Sequence, residues 1–135
     1  LRNRIYGLQL YKYQIVGVLH WGYNFYNSQF SYEHINPYLV TDAGGAFPAG
    51  DPFLVYPGED KCPEESIRMM VHAQAFSDLR ACRLLEKLAG REFVMECIEE
   101  DLAKPLTFKC YPKSDMYLLQ LRNRINREIA KRIKK

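Results

Sequence analysis

The feature that most constrains the fold of this chain is the segment Ile15–Trp21, which alone has the pattern of a buried β-strand. It is apolar, β-branched and about seven residues long. A strand needs a hydrogen-bonded neighbour, and no second segment of the 135 residues has a comparable pattern. We therefore expect its partner strands to come from a longer polypeptide or from a second copy. The first residue is leucine rather than methionine, which favours the longer polypeptide.

The remaining apolar residues recur mainly at helical spacing. They predict helices over residues 1–13, 63–89 and 91–102, and a last helix from Ser114 onward. Pro63 suits the first position of the second helix, and Gly90 suits its left-handed cap. The predicted order is thus a helix, a strand, a long loop and three helices.

A long segment without sustained periodicity, residues 22–60, separates the strand from the second helix. A brief extended stretch is predicted within it at Phe53–Tyr56, and another later at Leu106–Cys110. Loops of this length are usually functional or disordered, and the aromatic content of this one argues against disorder. Its turn-forming residues are Pro37, Gly44, Gly45, Pro48, Gly50, Pro52, Pro57 and Gly58.

The charge is unevenly distributed. The whole chain has a net charge of +3, yet its last fourteen residues carry seven basic side chains and one acidic side chain. Such an end can bind nucleic acid or acidic lipid, or it can be a solvated helix whose cations favour the negative end of the helix dipole. We expect the solvated helix, with neither a nucleic-acid nor a membrane partner, because the rest of the chain is acidic and no nucleic-acid motif is present.

The four cysteines, at positions 62, 82, 97 and 110, lie without C-x-x-C spacing. We therefore expect no metal site and reduced thiols in a cytoplasmic setting, although an even number of cysteines also permits disulfides. Cys82 and Cys97 fall within predicted helices, where a free cysteine packs as a small apolar residue. No phosphate-binding loop or nucleophile motif is present, so we expect no cofactor.

Aromatic and polar side chains cluster just after the predicted strand. Trp21, Tyr23 and Asn24 follow one another closely, and the loop carries Asp42 and Asp51. A flat aromatic face beside fixed hydrogen-bonding groups suits a sugar ring, so these five residues are candidate substrate-binding residues. Trp21 could equally be a core residue, and Tyr23 and Asn24 could simply pack in the loop. Asp42 and Asp51 could instead form turns, because each lies in a segment flanked by glycine.

The alternation of side chains along a strand places Gly17, Leu19 and Trp21 on one face, which we assign to the interior, and His20 on the other. His20 is then a structural residue, although a register shift of one residue would reverse both assignments. Arg68 and Asp78 are predicted to be structural, because a semi-buried charge needs a partner.

Several motifs together resemble the C-terminal end of glycoside hydrolase family 123 and its uncharacterised bacterial relatives. The similarity extends over about Gly7 to Leu88, and the motifs are specific as an ordered set rather than singly. They are Gly17-Val18-Leu19-His20-Trp21-Gly22-Tyr23-Asn24, Thr41-Asp42-Ala43-Gly44-Gly45, Gly50-Asp51-Pro52-Phe53-Leu54-Val55-Tyr56-Pro57-Gly58, Glu65-Ser66-Ile67-Arg68 and Asp78-Leu79-Arg80.

The resemblance implies an α/β fold, the C-terminal portion of a (β/α)8 TIM barrel that is mostly helical with few strands and one long loop. Residues 1–135 would form a single segment of a larger domain. Residues 1–21 would supply a helix and the last barrel strand, residues 22–60 a loop on the active-site side, and residues 61–135 the closing and C-terminal helices. Barrel sites lie at the C-terminal ends of the strands, which would place Trp21 to Tyr26 at the mouth.

Characterised members of the family are similar to hexosaminidases that release N-acetylgalactosamine with the help of an adjacent Asp-Glu pair. The aspartate steers the substrate's own acetamido group, and the glutamate is the general acid and base. Asp-Glu does not occur in this sequence, so no catalytic residue is assigned and the segment alone is expected to be inactive. The chain would supply sugar-binding residues to a glycosidase completed by the upstream remainder of its polypeptide. The alternative is a non-catalytic carbohydrate-binding or interaction module.

Overall fold

A computed structural model describes residues 2–133 of the chain. Contacts group these residues into two compact units, one formed by residues 2–16 and 71–133 and the other by Gly17–Met70. The described elements, in chain order, are α1 (Arg2–Lys12), a short 3-10 turn (Gln29–Ser31), β1 (Val55–Pro57), β2 (Pro63–Glu65), α2 (Ile67–Ala89), α3 (Arg91–Glu99) and α4 (Asp115–Ile133).

The first unit is helical, and its core is formed by the apolar stripes of α1, α2, α3 and α4. These stripes arise because apolar residues recur every three or four positions and so share one face of each helix. The core residues with the least exposure are Ile5, Leu8, Cys82, Leu85, Val94, Ile98, Leu106 and Ile125. The helices predicted over 1–13 and 91–102 and from Ser114 are therefore confirmed within residues 2–133, with described ends that differ from the predicted ones by at most three residues.

Helices α1 and α2 approach each other closely at Gly7. A Cβ atom added at Gly7 would lie 2.0 Å from the carbonyl oxygen of Ala75, which is far inside van der Waals contact. Glycine at this position therefore lets the two backbones approach, and any side chain would force them apart.

A buried carboxylate connects three helices of this unit. The side chain of Asp78 on α2 is 6% exposed. Its Oδ2 accepts a hydrogen bond from Arg4 Nε of α1 at 2.9 Å, and its Oδ1 accepts one from Arg122 Nη1 of α4 at 2.7 Å. Because both carboxylate oxygens have a charged partner, the cost of burying Asp78 is offset. The predicted structural role of Asp78 is confirmed.

We expect Asp78→Ala to lower the free energy of unfolding by about 3 kcal/mol, because it leaves two partly buried guanidinium groups without their carboxylate. The matched control is Asp101→Ala. Asp101 is 58% exposed and pairs with Arg124, so its removal should cost less than about 1 kcal/mol. Urea unfolding followed by far-UV circular dichroism measures both values. Equal losses for the two variants would contradict this role for Asp78.

The helix predicted over 63–89 begins later than expected, at Ile67. Pro63–Glu65 instead forms β2, which pairs antiparallel with β1 in the register Val55↔Glu65 and Pro57↔Pro63. Ser66 then precedes the helix, and its Oγ accepts a hydrogen bond from the backbone N–H of Met69 at 3.3 Å. The helix ends at Ala89, and Gly90 follows with φ 86° and ψ 160°. The positive φ suits glycine, but the left-handed cap predicted for Gly90 is wrong, because its ψ is extended rather than helical. The extended stretch predicted at Phe53–Tyr56 is confirmed in part by β1.

The predicted strand Ile15–Trp21 is wrong for this structure. The segment forms no strand, and Val16 and Leu19 are 97% and 87% exposed rather than buried. The physical reason is that no segment within residues 2–133 lies beside it to complete a ladder of hydrogen bonds. The fold is thus mixed, with four helices and a two-stranded sheet among the described residues.

The extended stretch predicted at Leu106–Cys110 is also wrong, since these residues form a turn. The backbone N–H of Thr107 donates to the carbonyl of Cys110 at 2.7 Å, and the Thr107 hydroxyl accepts from the Cys110 N–H at 2.8 Å. A threonine hydroxyl that bonds to nearby backbone offers the chain an alternative to a strand.

None of the helices described between residues 2 and 133 combines the length and the apolar character that crossing a bilayer requires.

All four cysteines are free thiols in environments that differ widely. Cys82 and Cys97 are buried, which confirms that they pack as small apolar residues, whereas Cys62 is exposed. Burial, reinforced by the negative charge of Asp78, raises the pKa of Cys82 to about 12. Because the thiolate is the nucleophile, Cys82 should be inert in the folded protein.

We therefore expect a short pulse of iodoacetamide at pH 8 to alkylate Cys62 and to leave Cys82 unmodified. Peptide mapping by mass spectrometry measures the extent at each cysteine, and the same pulse in denaturant should modify all four. Alkylation of Cys82 in the folded protein at the rate of Cys62 would show that the thiol is not buried.

Candidate functional site

The candidate site lies within the second unit, where two distant segments pair through their backbones. The backbone N–H of Leu54 donates to the carbonyls of Gly22 and Tyr23 at 3.1 and 2.8 Å. The N–H of Val55 also donates to Tyr23, at 3.1 Å. These bonds hold the residues after Trp21 beside the strand β1.

Gly22 makes this close approach possible. A Cβ atom at Gly22 would lie 2.2 Å from the carbonyl oxygen of Asp51 and 2.7 Å from Cα of Pro52. Both are backbone atoms, which cannot rotate away as a flexible side chain would. Only glycine therefore allows the neighbouring Trp21 to reach Asp51.

Asp42 organises the loop that carries the other half of the site. Its Oδ1 accepts hydrogen bonds from the backbone N–H groups of Gly44 and Gly45 at 3.1 and 2.9 Å. Its carbonyl accepts one from the N–H of Phe47 at 3.1 Å, and Gly50 closes the loop onto Thr41 at 2.7 Å. Asp42 is thus a turn-forming residue, which is one of the two roles expected for it.

Trp21 lies at the centre of a small aromatic cluster. Its indole ring is 4.5 Å from the ring of Phe47 and 5.5 Å from that of Phe25, measured between centroids. Its Nε1 donates a hydrogen bond to Oδ2 of Asp51 at 3.2 Å. The indole is nevertheless 44% exposed, so part of it remains open to solvent. The structure therefore brings together two of the predicted site residues, Trp21 and Asp51, which are thirty positions apart.

His20 lies beside the same carboxylate. Its Nε2 is 4.0 Å from Oδ1 of Asp51, and its Nδ1 accepts a hydrogen bond from the N–H of Gly22 at 3.2 Å. In the neutral imidazole the proton then sits on Nε2, the nitrogen nearer the carboxylate. The prediction that His20 and Trp21 face opposite sides is wrong, because it assumed a strand and the segment is not one.

Tyr23 and Asn24 contribute differently from Trp21. Both are exposed, and neither side chain forms a hydrogen bond within the described residues. Asn24 pairs through its backbone with Phe53 as an isolated bridge. Their side chains are therefore open to solvent, two and three residues after Trp21 in the chain. A ligand-binding role for them stays a prediction.

Arg68, at the start of α2, binds the segment that contains β1. Its guanidinium donates to the carbonyl of Phe53 from Nε at 3.2 Å and from Nη2 at 2.7 Å, and Nη2 also donates to the Tyr56 hydroxyl at 2.9 Å. The predicted structural role of Arg68 is confirmed. This contact secures the strand on which Tyr23 docks.

Sequence reasoning missed Phe25 and Phe47, the two rings that flank Trp21. Phe47 lies directly before Pro48 in a glycine-rich loop. It has no other aromatic residue near it in the sequence, so its ring must pack against a distant segment or remain exposed. That isolation is the signal that could have identified it. Across residues 2–133, no three His, Cys, Asp or Glu side chains converge so as to hold a metal ion.

Trp21 thus presents a partly exposed indole beside the carboxylate of Asp51. The family model for the glycoside hydrolase 123 catalytic domain matches residues 1–85. The chain belongs to this family of glycoside hydrolases. Membership implies a glycoside hydrolase-like function and a carbohydrate substrate. No curated protein matches the chain.

We expect Gly22→Ala to lower the free energy of unfolding by about 1 to 3 kcal/mol, because the added methyl group overlaps the backbone of Asp51 and Pro52. The emission of Trp21, the chain's only tryptophan, should also shift to longer wavelength as its contact with Asp51 is lost. Urea unfolding followed by tryptophan fluorescence measures both effects.

The control for this experiment is Gly17→Ala. A Cβ atom at Gly17 meets nothing within 4 Å, so neither the stability nor the emission should change. Identical behaviour of the two variants would argue against the close approach at Gly22.

Proposed function

We propose that Trp21 and Asp51 form a sugar subsite of a glycoside hydrolase, with Tyr23 and Asn24 at its edge. The observation that carries this proposal is the hydrogen bond from the Trp21 indole to Asp51, formed while both side chains stay more than 40% exposed. An aromatic face held rigid by a carboxylate binds a pyranose by stacking, since the C–H face of the sugar is apolar.

Asp51 has a second role in this proposal. Its Oδ2 is occupied by the Trp21 indole, whereas its Oδ1 faces Nε2 of His20 at the longer distance of 4.0 Å. A sugar hydroxyl can donate to Oδ1, and the Nε2–H of His20 can donate to a hydroxyl oxygen. The ring would therefore be held on one face by stacking and at one edge by directional hydrogen bonds.

We further propose that the substrate is an N-acetylgalactosamine-type sugar and that the catalytic Asp-Glu pair lies elsewhere in the same polypeptide. The resemblance to family 123 and the lack of adjacent Asp-Glu in this sequence support this division. The exposed apolar side chains Val16 and Leu19 would then pack against the rest of that polypeptide.

The direct test is a fluorescence titration of Trp21 with N-acetylgalactosamine, which we expect to change the emission with a dissociation constant on the order of millimolar, as for a single sugar ring. Asp51→Ala should weaken binding about tenfold, because a hydrogen bond to a charged acceptor is lost. Asp60→Ala is the matched control. Asp60 accepts a hydrogen bond from the backbone N–H of Cys62, outside the site, so the affinity should not change.

Because Trp21→Ala removes the fluorescent probe, sugar binding to this variant is measured instead by saturation-transfer NMR on the sugar protons. The transfer should disappear in this variant and persist in Tyr32→Ala, which removes an aromatic ring that is more exposed than Trp21, at 84% against 44%, but lies outside the cluster. Transfer that survives Trp21→Ala would refute the subsite.

A non-catalytic carbohydrate-binding module is the second candidate, favoured by the lack of adjacent Asp and Glu in this sequence. A chromogenic N-acetylgalactosaminide distinguishes the two. Turnover by a longer polypeptide that contains this segment, lost on Trp21→Ala, supports the hydrolase. Binding without turnover in that polypeptide supports the module.

A further inference from the structure

The first unit carries an open groove between α2 and α4 that the proposed sugar subsite does not use. The groove has a volume of about 600 Å³. Helix α4 lies wholly beyond residues 1–85, which match the family. The lining residues are Ser77, Arg80, Ala81 and Leu84 of α2, and Arg122, Asn126, Ile129, Ala130 and Ile133 of α4.

The shape of the groove suits a helix. Its lining residues recur at three- and four-residue spacing on both helices, so each helix contributes one continuous stripe. Ala81 and Ala130 are small and keep the floor open, while Leu84 and Ile133 are exposed along it. An amphipathic helix binds such a surface by laying its own apolar stripe between the two walls.

The positive charge of the groove indicates that its partner carries acidic residues. Two of its nine lining residues are arginines and none is acidic. Arg80 forms no hydrogen bond or ion pair within residues 2–133. Arg122 donates from Nη1 to Asp78 and Ser77 and from Nε to Asn126, which leaves its Nη2 without a partner there. Guanidinium groups with N–H donors open to solvent beside an apolar floor are well suited to pair with the carboxylates of a ligand.

The opposite side of α4 has the reverse character. A second groove, between α3 and α4, is lined by Glu92, Glu96, Glu99, Glu100 and Glu128 with a single arginine, Arg124. Several of these glutamates already pair with cations, including Glu99 with Lys12 and Glu100 with Arg124. Of these two grooves, the α2–α4 groove is the basic one, and this difference can discriminate between acidic and basic partners.

We propose that the α2–α4 groove binds an amphipathic helix of a partner protein whose polar face is acidic. Carboxylates of the partner pair with Arg80 and with Nη2 of Arg122, and its apolar face covers Leu84, Ile129 and Ile133. The apolar floor favours a protein helix over nucleic acid, because a nucleic-acid backbone would leave that floor uncovered.

The test uses a fluorescein-labelled synthetic peptide of about 18 residues, roughly five helical turns, with leucines at three- and four-residue spacing and glutamates between them. Its binding to the intact chain is measured by fluorescence anisotropy. We expect saturable binding that weakens as salt is raised. The same peptide with lysine in place of each glutamate should bind at least about tenfold more weakly.

Two variants, each with a matched control, locate the binding. Arg80→Glu should weaken binding about tenfold, whereas Arg83→Glu makes the same charge change on an exposed residue of α2 outside the groove and should have little effect. Ala130→Trp fills the groove and should abolish binding, whereas Ala73→Trp adds the same ring at an exposed site on α2 away from it. All four positions are largely exposed or open, and circular dichroism checks that each variant folds.

Three outcomes would overturn the proposal. The first is equal binding of the acidic and basic peptides, and the second is insensitivity to both Arg80→Glu and Ala130→Trp. The third is evidence that the groove binds something else. A dimer that is seen in sedimentation and that Ala130→Trp dissociates would assign the groove to a second copy of the chain. Displacement of the peptide by a thymidine oligonucleotide would assign the groove to nucleic acid. Sugar binding at Trp21 is measured separately and does not depend on any of these results.

Discussion

The helical unit depends above all on the buried carboxylate of Asp78. One side chain on α2 joins Arg4 of α1 and Arg122 of α4 through two charge-assisted hydrogen bonds. Because a buried charge is costly without partners, the helices are stable only in the arrangement that delivers both guanidinium groups. The same arrangement places Arg122 in the α2–α4 groove, where its Nη2 has no partner among residues 2–133. The interaction that stabilises the unit thus also determines the charge of its open surface.

The loop unit depends on a different constraint, the absence of a side chain at Gly22. With no Cβ atom in the way, the backbone after Trp21 docks against Asp51 and Pro52, and the carbonyl of Tyr23 accepts two bonds from Leu54 and Val55. Asp42 shapes the loop that brings Phe47 to the indole. The candidate sugar subsite is therefore assembled by backbone contacts in residues that have little regular secondary structure.

Much of the fold could be predicted from the sequence where the signal is periodic. The helical stripes that include Leu85, Val94 and Ile125 identified the helices to within a few residues, because burial selects apolar side chains at helical spacing. The errors fell on short apolar runs. Ile15–Trp21 has the composition of a strand, but composition cannot supply a neighbouring strand. Proline is compatible both with the first turn of a helix and with an edge strand, so the residue type at position 63 could not distinguish the two. Pro63–Glu65 is a strand because it pairs with β1.

The candidate site divides in the same way. The sequence by itself determined the chemical types, an aromatic residue at 21 and carboxylates at 42 and 51, and it showed membership of a glycoside hydrolase family through motifs read in order. Only the tertiary structure decided that Asp51 contacts the indole, that Asp42 serves a turn, and that His20 and Phe47 join the cluster. The reason is physical: local spacing controls which face of a helix is apolar, whereas contacts across thirty residues depend on where the loop backbone closes.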